Sequence, residues 1–99
     1  MTGQRFRFTS EIFMWKEDSP WHFIALPEDI TDDIEDSVSL RGGFGSISVH
    51  VTLGTSNWST SLFPDSRRKA FILPIKKEIR RAEQVAAGDR VTIELAIAT

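Results

Sequence analysis

The stretch that decides the fold is residues 46–66, SISVHVTLGTSNWSTSLFPDS. In residues 47–53 every second side chain is apolar and the ones between are polar, which is the alternation of a half-buried strand. Residues 54–56 have the composition of a turn. Residues 57–63 then return as a second strand, with Trp58 on its apolar face. This stretch therefore predicts a β-hairpin with one buried face.

The same kind of pattern continues on both sides of this hairpin. The other predicted strands are residues 6–14, 21–26, 69–73 and 91–97, and two short helices are predicted to begin after Pro27 and Pro74. The order is β-β-α-β-β-β-α-β, which makes the chain mainly β. Six half-polar strands in 99 residues predict one domain, residues 1–99, built as a small six-stranded β-barrel that is closed or partly open, because closure removes exposed strand edges.

Each predicted helix has one apolar stripe and a strongly charged remainder. The expected stripes are Ile30, Ile34 and Val38 in the first helix and Ile75, Ile79 and Ala82 in the second. Residues 28–36 hold six of the 14 acidic side chains, and residues 67–81 hold seven of the 12 basic ones. The net charge is only −2, so the chain as a whole has no positive field that attracts nucleic acid or anionic lipid.

Several segments resemble a known family. They are WHFIALP at residues 21–27, GFGSI at 43–47, TSLFP at 60–64, LPIKK at 73–77 and GDRV at 88–91. In this order they resemble the small prokaryotic family called domain of unknown function nineteen-oh-five, which is known as a small β-barrel and also occurs fused to YdeI/OmpD-associated, bacteriocin-protection domains. The resemblance implies the fold but supplies no catalytic or binding residues. One departure is the turn at residues 65–69, DSRRK, where relatives often have a glycine.

The composition excludes several classes of function. The chain has no cysteine, which excludes disulfides, thiolate catalysis and cysteine-ligated zinc. Residues 1–10 contain no apolar run that could form a signal peptide or cross a membrane. We therefore expect a cytoplasmic protein with no membrane partner.

No segment has the spacing of a catalytic, metal or cofactor site. Residues 42–45, GGFG, lack both phosphate-loop patterns and are expected to form a bend at a barrel corner. His22 and His50 have no nucleophile or acid at motif spacing and are expected at the surface or the barrel rim. The acidic residues 28–36 lack the spacing and the glycine of a calcium loop. We therefore expect no enzyme activity, no metal and no cofactor.

The first functional hypothesis is a non-catalytic binding module with a ligand site at the barrel mouth. The candidate lining residues are Trp21, Trp58, Ser59 and Ser61, with Arg41 or Lys76 fixing an anionic group on the ligand. The competing interpretation places the tryptophans in a dry core, which is common for tryptophans on strands. Trp15 and Trp21 flank the first hairpin turn and could form a second, exposed aromatic site.

The second hypothesis is nucleic-acid binding through a basic surface. Its candidate residues are Arg67, Arg68, Lys69, Lys76, Lys77, Arg80 and Arg81. The competing interpretations are a solvated charged face and pairing with Asp32, Asp33 and Asp36, within the chain or across a dimer. A third hypothesis is an assembly protein, possible as a homodimer, in which the acidic helix of one copy meets the basic helix of another. The expected partner is otherwise a small molecule or a protein.

Overall fold

The alternation at residues 47–53 forms a strand of an antiparallel barrel in the computed structural model, which describes residues 4–37 and 45–98. The elements are β1 (Arg5–Met14), β2 (His22–Ala25), α1 (Glu28–Ser37), β3 (Ile47–Leu53), β4 (Ser56–Asp65), β5 (Ala70–Pro74), α2 (Lys77–Glu83) and β6 (Arg90–Ile97). The six strands close in the order β1-β2-β5-β4-β3-β6. The predicted class and element order are confirmed. The bend predicted for residues 42–45 lies mostly outside the described residues, as do Val38 and Arg41.

Two long strands, β1 and β4, turn the corners of the barrel. Residues 5–11 of β1 pair with β6, whereas residues 12–14 pair with β2. In the same way, residues 56–62 of β4 pair with β3 and residues 63–65 pair with β5. The barrel can therefore be described as two sheets that share these strands. We call the sheet of β1, β6, β3 and β4 the first sheet, and that of β1, β2, β5 and β4 the second sheet.

The inward-facing apolar side chains of the strands fill the interior of the barrel. Along β3 the buried and exposed side chains alternate almost perfectly, as the sequence predicts. Residues with no or almost no exposed surface come from all six strands and include Ile12, Ile24, Val49, Val51, Leu62, Phe71, Leu73 and Ile93. Burying each such side chain contributes about 1.5–3 kcal/mol before the entropy of ordering the chain is subtracted.

The two helices lie at opposite ends of β4. Helix α1 packs beside β5 and the β4–β5 turn, where Ile34 is fully buried, Ile30 packs against the core, and the Thr31 hydroxyl accepts a hydrogen bond from the Phe71 N–H at 3.4 Å. Helix α2 lies beside the other end of β4. Its Ile79 is buried as predicted. The prediction that Ala82 is buried is wrong: Ala82 is exposed in the last turn of α2, and Val85, just after the helix, packs on the core instead. Ile75 is buried as predicted, but it precedes the helix, which begins at Lys77.

A hydrogen-bonded carboxylate ties α2 to the β3–β4 turn. Glu83 accepts hydrogen bonds from the Ser56 hydroxyl at 2.6 Å and the Thr55 hydroxyl at 3.3 Å. Gly54 in this turn has φ +60, and a Cβ at this position would collide with the Glu83 carboxylate. Only glycine combines this backbone conformation with the close approach of the helix.

Candidate functional site

A groove of about 700 Å³ opens where β4 and β5 separate. Within the described residues, the pairing of these strands ends at Phe63 and Ile72. Beyond that point β5 leads into α2, and β4 continues along β3. Helix α2 closes the core at Ile79, and the space left between α2, β4 and the start of β2 is the groove.

The walls of the groove are mainly apolar and include two tryptophans. Trp58 lies on the inward phase of β4 and is only 8% exposed, so its ring belongs to the core and borders the groove at one edge. Trp21 lies before β2 on the other side and is 64% exposed. Thr60 lines the groove beside Trp58. Ser59 also lines the groove, and its hydroxyl lies 3.2 Å from Nδ1 of His50 on β3.

The helix side of the groove carries three cations, Lys76, Lys77 and Arg80. The Arg80 guanidinium is held in place, since Nε donates to the Ile75 carbonyl at 3.2 Å and Nη1 lies 3.3 Å from Nε2 of His22. Nδ1 of His22 lies 3.0 Å from the Pro20 carbonyl, which can only accept. Nδ1 therefore carries the proton and Nε2 accepts from Arg80. Among the described residues that line this groove there is no carboxylate, so its local charge is positive.

The structure brings together four of the six predicted ligand-site residues. Trp21, Trp58, Ser59 and Lys76 all line the groove. Ser61 is half-buried farther along β4 and is not among the lining residues. Arg41 lies outside the described residues. The sequence analysis did not place His22 or Arg80 in this site, although Arg80 follows Lys76 by one helical turn and His22 follows Trp21 directly.

The predicted basic surface is divided into two clusters. The turn cluster, Arg67, Arg68 and Lys69, lies between β4 and β5, and the helix cluster, Lys76, Lys77, Arg80 and Arg81, lies on α2 or just before it. The five residues of β5 lie between them, a stretch of roughly 17 Å of extended chain. Asp32 and Glu35 of α1 line a depression with Lys69, so the acidic helix lies beside the turn cluster.

Arg68 of the turn cluster serves the fold. Its guanidinium donates to the Asp65 carboxylate at 2.6 Å and lies 4.0 Å above the centre of the Phe13 ring. The Arg67 N–H donates to the same carboxylate at 3.0 Å. Burial by itself would raise the pKa of Asp65, but the hydrogen bond from Arg68, the hydrogen bond from the Arg67 backbone and the charge of Arg68 together hold this pKa below its ordinary value.

The outer face of the second sheet carries an exposed aromatic patch. Its members border a depression of about 420 Å³ and are Trp15, Trp21, Phe23, Phe63, Pro64, Ile72 and Pro74. Trp15 is 46% exposed, and its ring meets Phe23 edge-on at 5.5 Å between centroids. Trp21 and Pro74 line both this depression and the groove, so the two are continuous. The sequence pattern that could have predicted this patch is the presence of aromatic residues at outward-facing positions of several strands, such as Phe23 on β2 and Phe63 on β4.

Three further observations concern metal ligands, the two histidines and membrane-spanning helices. No three His, Asp or Glu side chains in residues 4–37 and 45–98 are grouped so that they could hold a metal ion. His50 is exposed on the outer face of β3, and His22 is half-buried in the groove. None of the helices in those ranges is long and apolar enough to cross a membrane.

Comparison with known proteins bears on the family only. A family model described as "Domain of unknown function (DUF1905)" matches residues 8–95. This confirms the resemblance found in the motifs. A search of curated proteins gives no match.

Proposed function

The chain belongs to the family described as "Domain of unknown function (DUF1905)", and we propose its function from the groove, because the family description names no activity. We propose that the protein is a non-catalytic binding module for an anion with an apolar or aromatic body. The observation that carries the proposal is the pairing of two tryptophans with three cations in one open groove. Ligand sites are commonly concave and apolar, with a few polar groups that orient the ligand.

The two sides of the groove supply different parts of the binding energy. An aromatic or aliphatic body would be buried against Trp21, Trp58 and Pro74, where the gain comes from removing apolar surface from water. Its anionic group, a carboxylate or a phosphate, would face Lys76, Lys77 and Arg80. The guanidinium of Arg80 is already held by Ile75 and His22, so it loses little freedom on binding. Arginine also matches the geometry of a carboxylate or phosphate with two parallel hydrogen bonds.

The proposal can be tested by heteronuclear NMR with isotopically labelled protein. The probes are indole-3-acetate, adenosine 5′-monophosphate and decanoate, which share an anionic group and differ in their apolar body. Each is compared with its uncharged counterpart, namely indole-3-ethanol, adenosine or decanol. We expect at least one anion to shift the amide signals of residues 20–22, 58–60 and 74–80, and its uncharged counterpart to bind more weakly.

Variants show whether the cations of the groove cause this preference. Lys76→Gln and Arg80→Gln should each weaken binding of the anion by about ten-fold, which corresponds to one charge-assisted hydrogen bond. Arg81→Gln is the matched control, because Arg81 is also an exposed cation of α2 but does not line the groove. The proposal is overturned if none of the three anions shifts the groove signals, or if Arg81→Gln weakens binding as much as Arg80→Gln.

A further inference from the structure

The groove does not end at Trp21. This exposed ring and Pro74 border both the groove and the aromatic patch. A ligand seated in the groove can therefore extend over Trp21 toward Phe23, Trp15 and Phe63. The continuous surface begins with cations and continues with aromatic rings.

Charge is distributed unevenly around this surface. Lys76, Lys77 and Arg80 lie at the groove end, and Arg68 lies above Phe13, whose ring contacts the patch residue Phe23 at 6.2 Å between centroids. Glu17 and Asp18 lie in the turn between the patch residues Trp15 and Trp21. An anionic chain would therefore pass along the α2 side of the patch. The acidic helix α1 lies at the opposite end of β4 from the groove, and its Asp32 and Glu35 border a depression that shares Pro64 with the far end of the patch.

A ligand that fits this arrangement has anionic groups and flat rings repeated along one chain. We propose that the groove and the aromatic patch together bind a short single-stranded nucleic acid, with a phosphate in the groove and bases stacked on Trp21 and the rings beyond it. The inference rests on the proposed function, since it names the class of ligand for the same groove. Aromatic side chains beside cations are the usual means by which proteins hold unpaired nucleotides.

A single strand fits better than a duplex or an acidic peptide. A duplex keeps its bases stacked inside, so it cannot offer them to Trp21 or Phe63, and the two clusters of cations are too far apart to form one continuous basic face. An acidic peptide would use the cations but leaves the exposed rings without a role. Both alternatives become outcomes of the test.

The test titrates labelled full-length protein with a single-stranded oligothymidylate of about six nucleotides, a length within the range that small barrels hold. The controls are an abasic oligonucleotide of the same length, a duplex of the same length and an oligoglutamate of matched charge. We expect the oligothymidylate to shift signals of both the groove and the patch, including Trp15, Phe23 and Phe63. The abasic strand should shift the groove alone.

Substitution of Trp21 distinguishes the contribution of base stacking to binding from the contribution of charge. Trp21→Ala should weaken oligothymidylate binding by roughly ten-fold or more and leave the abasic strand unaffected. The variant is expected to fold, because this side chain is mostly exposed. Met14→Ala is the control, since Met14 is also an exposed apolar residue but does not line the patch. With one phosphate held in the groove, raising the salt concentration from about 50 to about 200 mM should lower the affinity about three-fold.

Failure of this inference differs from failure of the proposed function. If adenosine 5′-monophosphate or another anionic probe binds the groove while the oligothymidylate shifts nothing beyond Trp21, the single-strand inference is wrong and the proposed function stands. Equal affinity for the abasic strand, the duplex or oligoglutamate also overturns the inference. If neither the small anions nor the oligonucleotides shift any groove signal, both proposals are wrong.

Discussion

The two clusters of cations have similar sequences but different surroundings. In the turn cluster, Arg68 contacts a buried carboxylate and an aromatic ring, and Lys69 lies beside acidic residues of α1. In the helix cluster, no basic side chain forms an ion pair within the residues that the structure describes, and Lys76, Lys77 and Arg80 face an open groove. The comparison teaches that a run of basic residues has no single role. Its role depends on whether an acidic or aromatic partner lies within reach.

If the turn cluster stabilises the fold and the helix cluster binds the ligand, Asp65→Ala should lower the stability of the protein without weakening ligand binding in the groove. The change removes the partner of the Arg68 guanidinium and the acceptor of the Arg67 N–H. We expect a loss of about 2 to 3 kcal/mol in the free energy of unfolding, measured by urea denaturation. Lys76→Gln is the comparison and should leave stability within about 0.5 kcal/mol of the parent protein. A similar loss in both variants would remove the distinction between the clusters.

The next largest effect is expected from disrupting the contact between Glu83 of α2 and the β3–β4 turn. Gly54→Ala places a side chain at φ +60 and forces the Glu83 carboxylate away from Ser56. We expect a loss of about 1 to 2 kcal/mol in the free energy of unfolding, because a residue with a Cβ is strained at positive φ and Glu83 loses its hydrogen bond to Ser56. Gly88→Ala is the matched control, since Gly88 also has positive φ, +97, but its Cβ would meet nothing within 4 Å. If the two variants lose the same stability, the Glu83 contact contributes nothing.

The smallest expected effect is a dependence of stability on acidic pH. The folded-state pKa of Asp65 lies below its ordinary value of 3.8, so the ionised form stabilises the folded state. This contribution is fully present above the ordinary pKa and is lost as the pH falls through the lower, folded-state value. Urea denaturation at a series of pH values below about 5 should show the loss. In Asp65→Asn this part of the pH dependence should be absent, whereas in Arg81→Gln it should be retained.

Local patterns in the chain were sufficient to predict the barrel. The alternation at residues 47–53 identified β3, and Pro27 marked the start of α1, whereas Pro74 ends β5 and α2 begins only at Lys77. The error at Ala82 arose because helical spacing shows which face is apolar but not how far along the helix the core extends. The turn at residues 65–69, which lacks the glycine often found in relatives, is accommodated by Lys69 in a left-handed conformation with φ 52.

The groove was predicted only in part. Trp21, Trp58 and Lys76 were candidates because aromatic and basic residues suit an anionic ligand, but nothing in the sequence placed them together. Ser61 was a candidate because its hydroxyl lies close to Trp58 in the sequence and could hydrogen-bond a ligand. The separation of β4 from β5 leaves only the first part of β4 beside the groove. The aromatic patch extends the surface in a direction that the basic residues alone did not indicate.

The sequence by itself determined the class of fold, the order of the elements and the family, because alternation, turn composition and family motifs are properties of neighbouring residues. Only the tertiary structure decided which charges have partners and where a ligand could bind. Arg80 meets His22 across 58 positions of sequence, and Glu83 meets Ser56 across 27. Contacts of this kind depend on how the barrel closes, since closure brings distant strands and helices to the same end. The open groove and the ion pair of Arg68 in the turn cluster are both consequences of that closure.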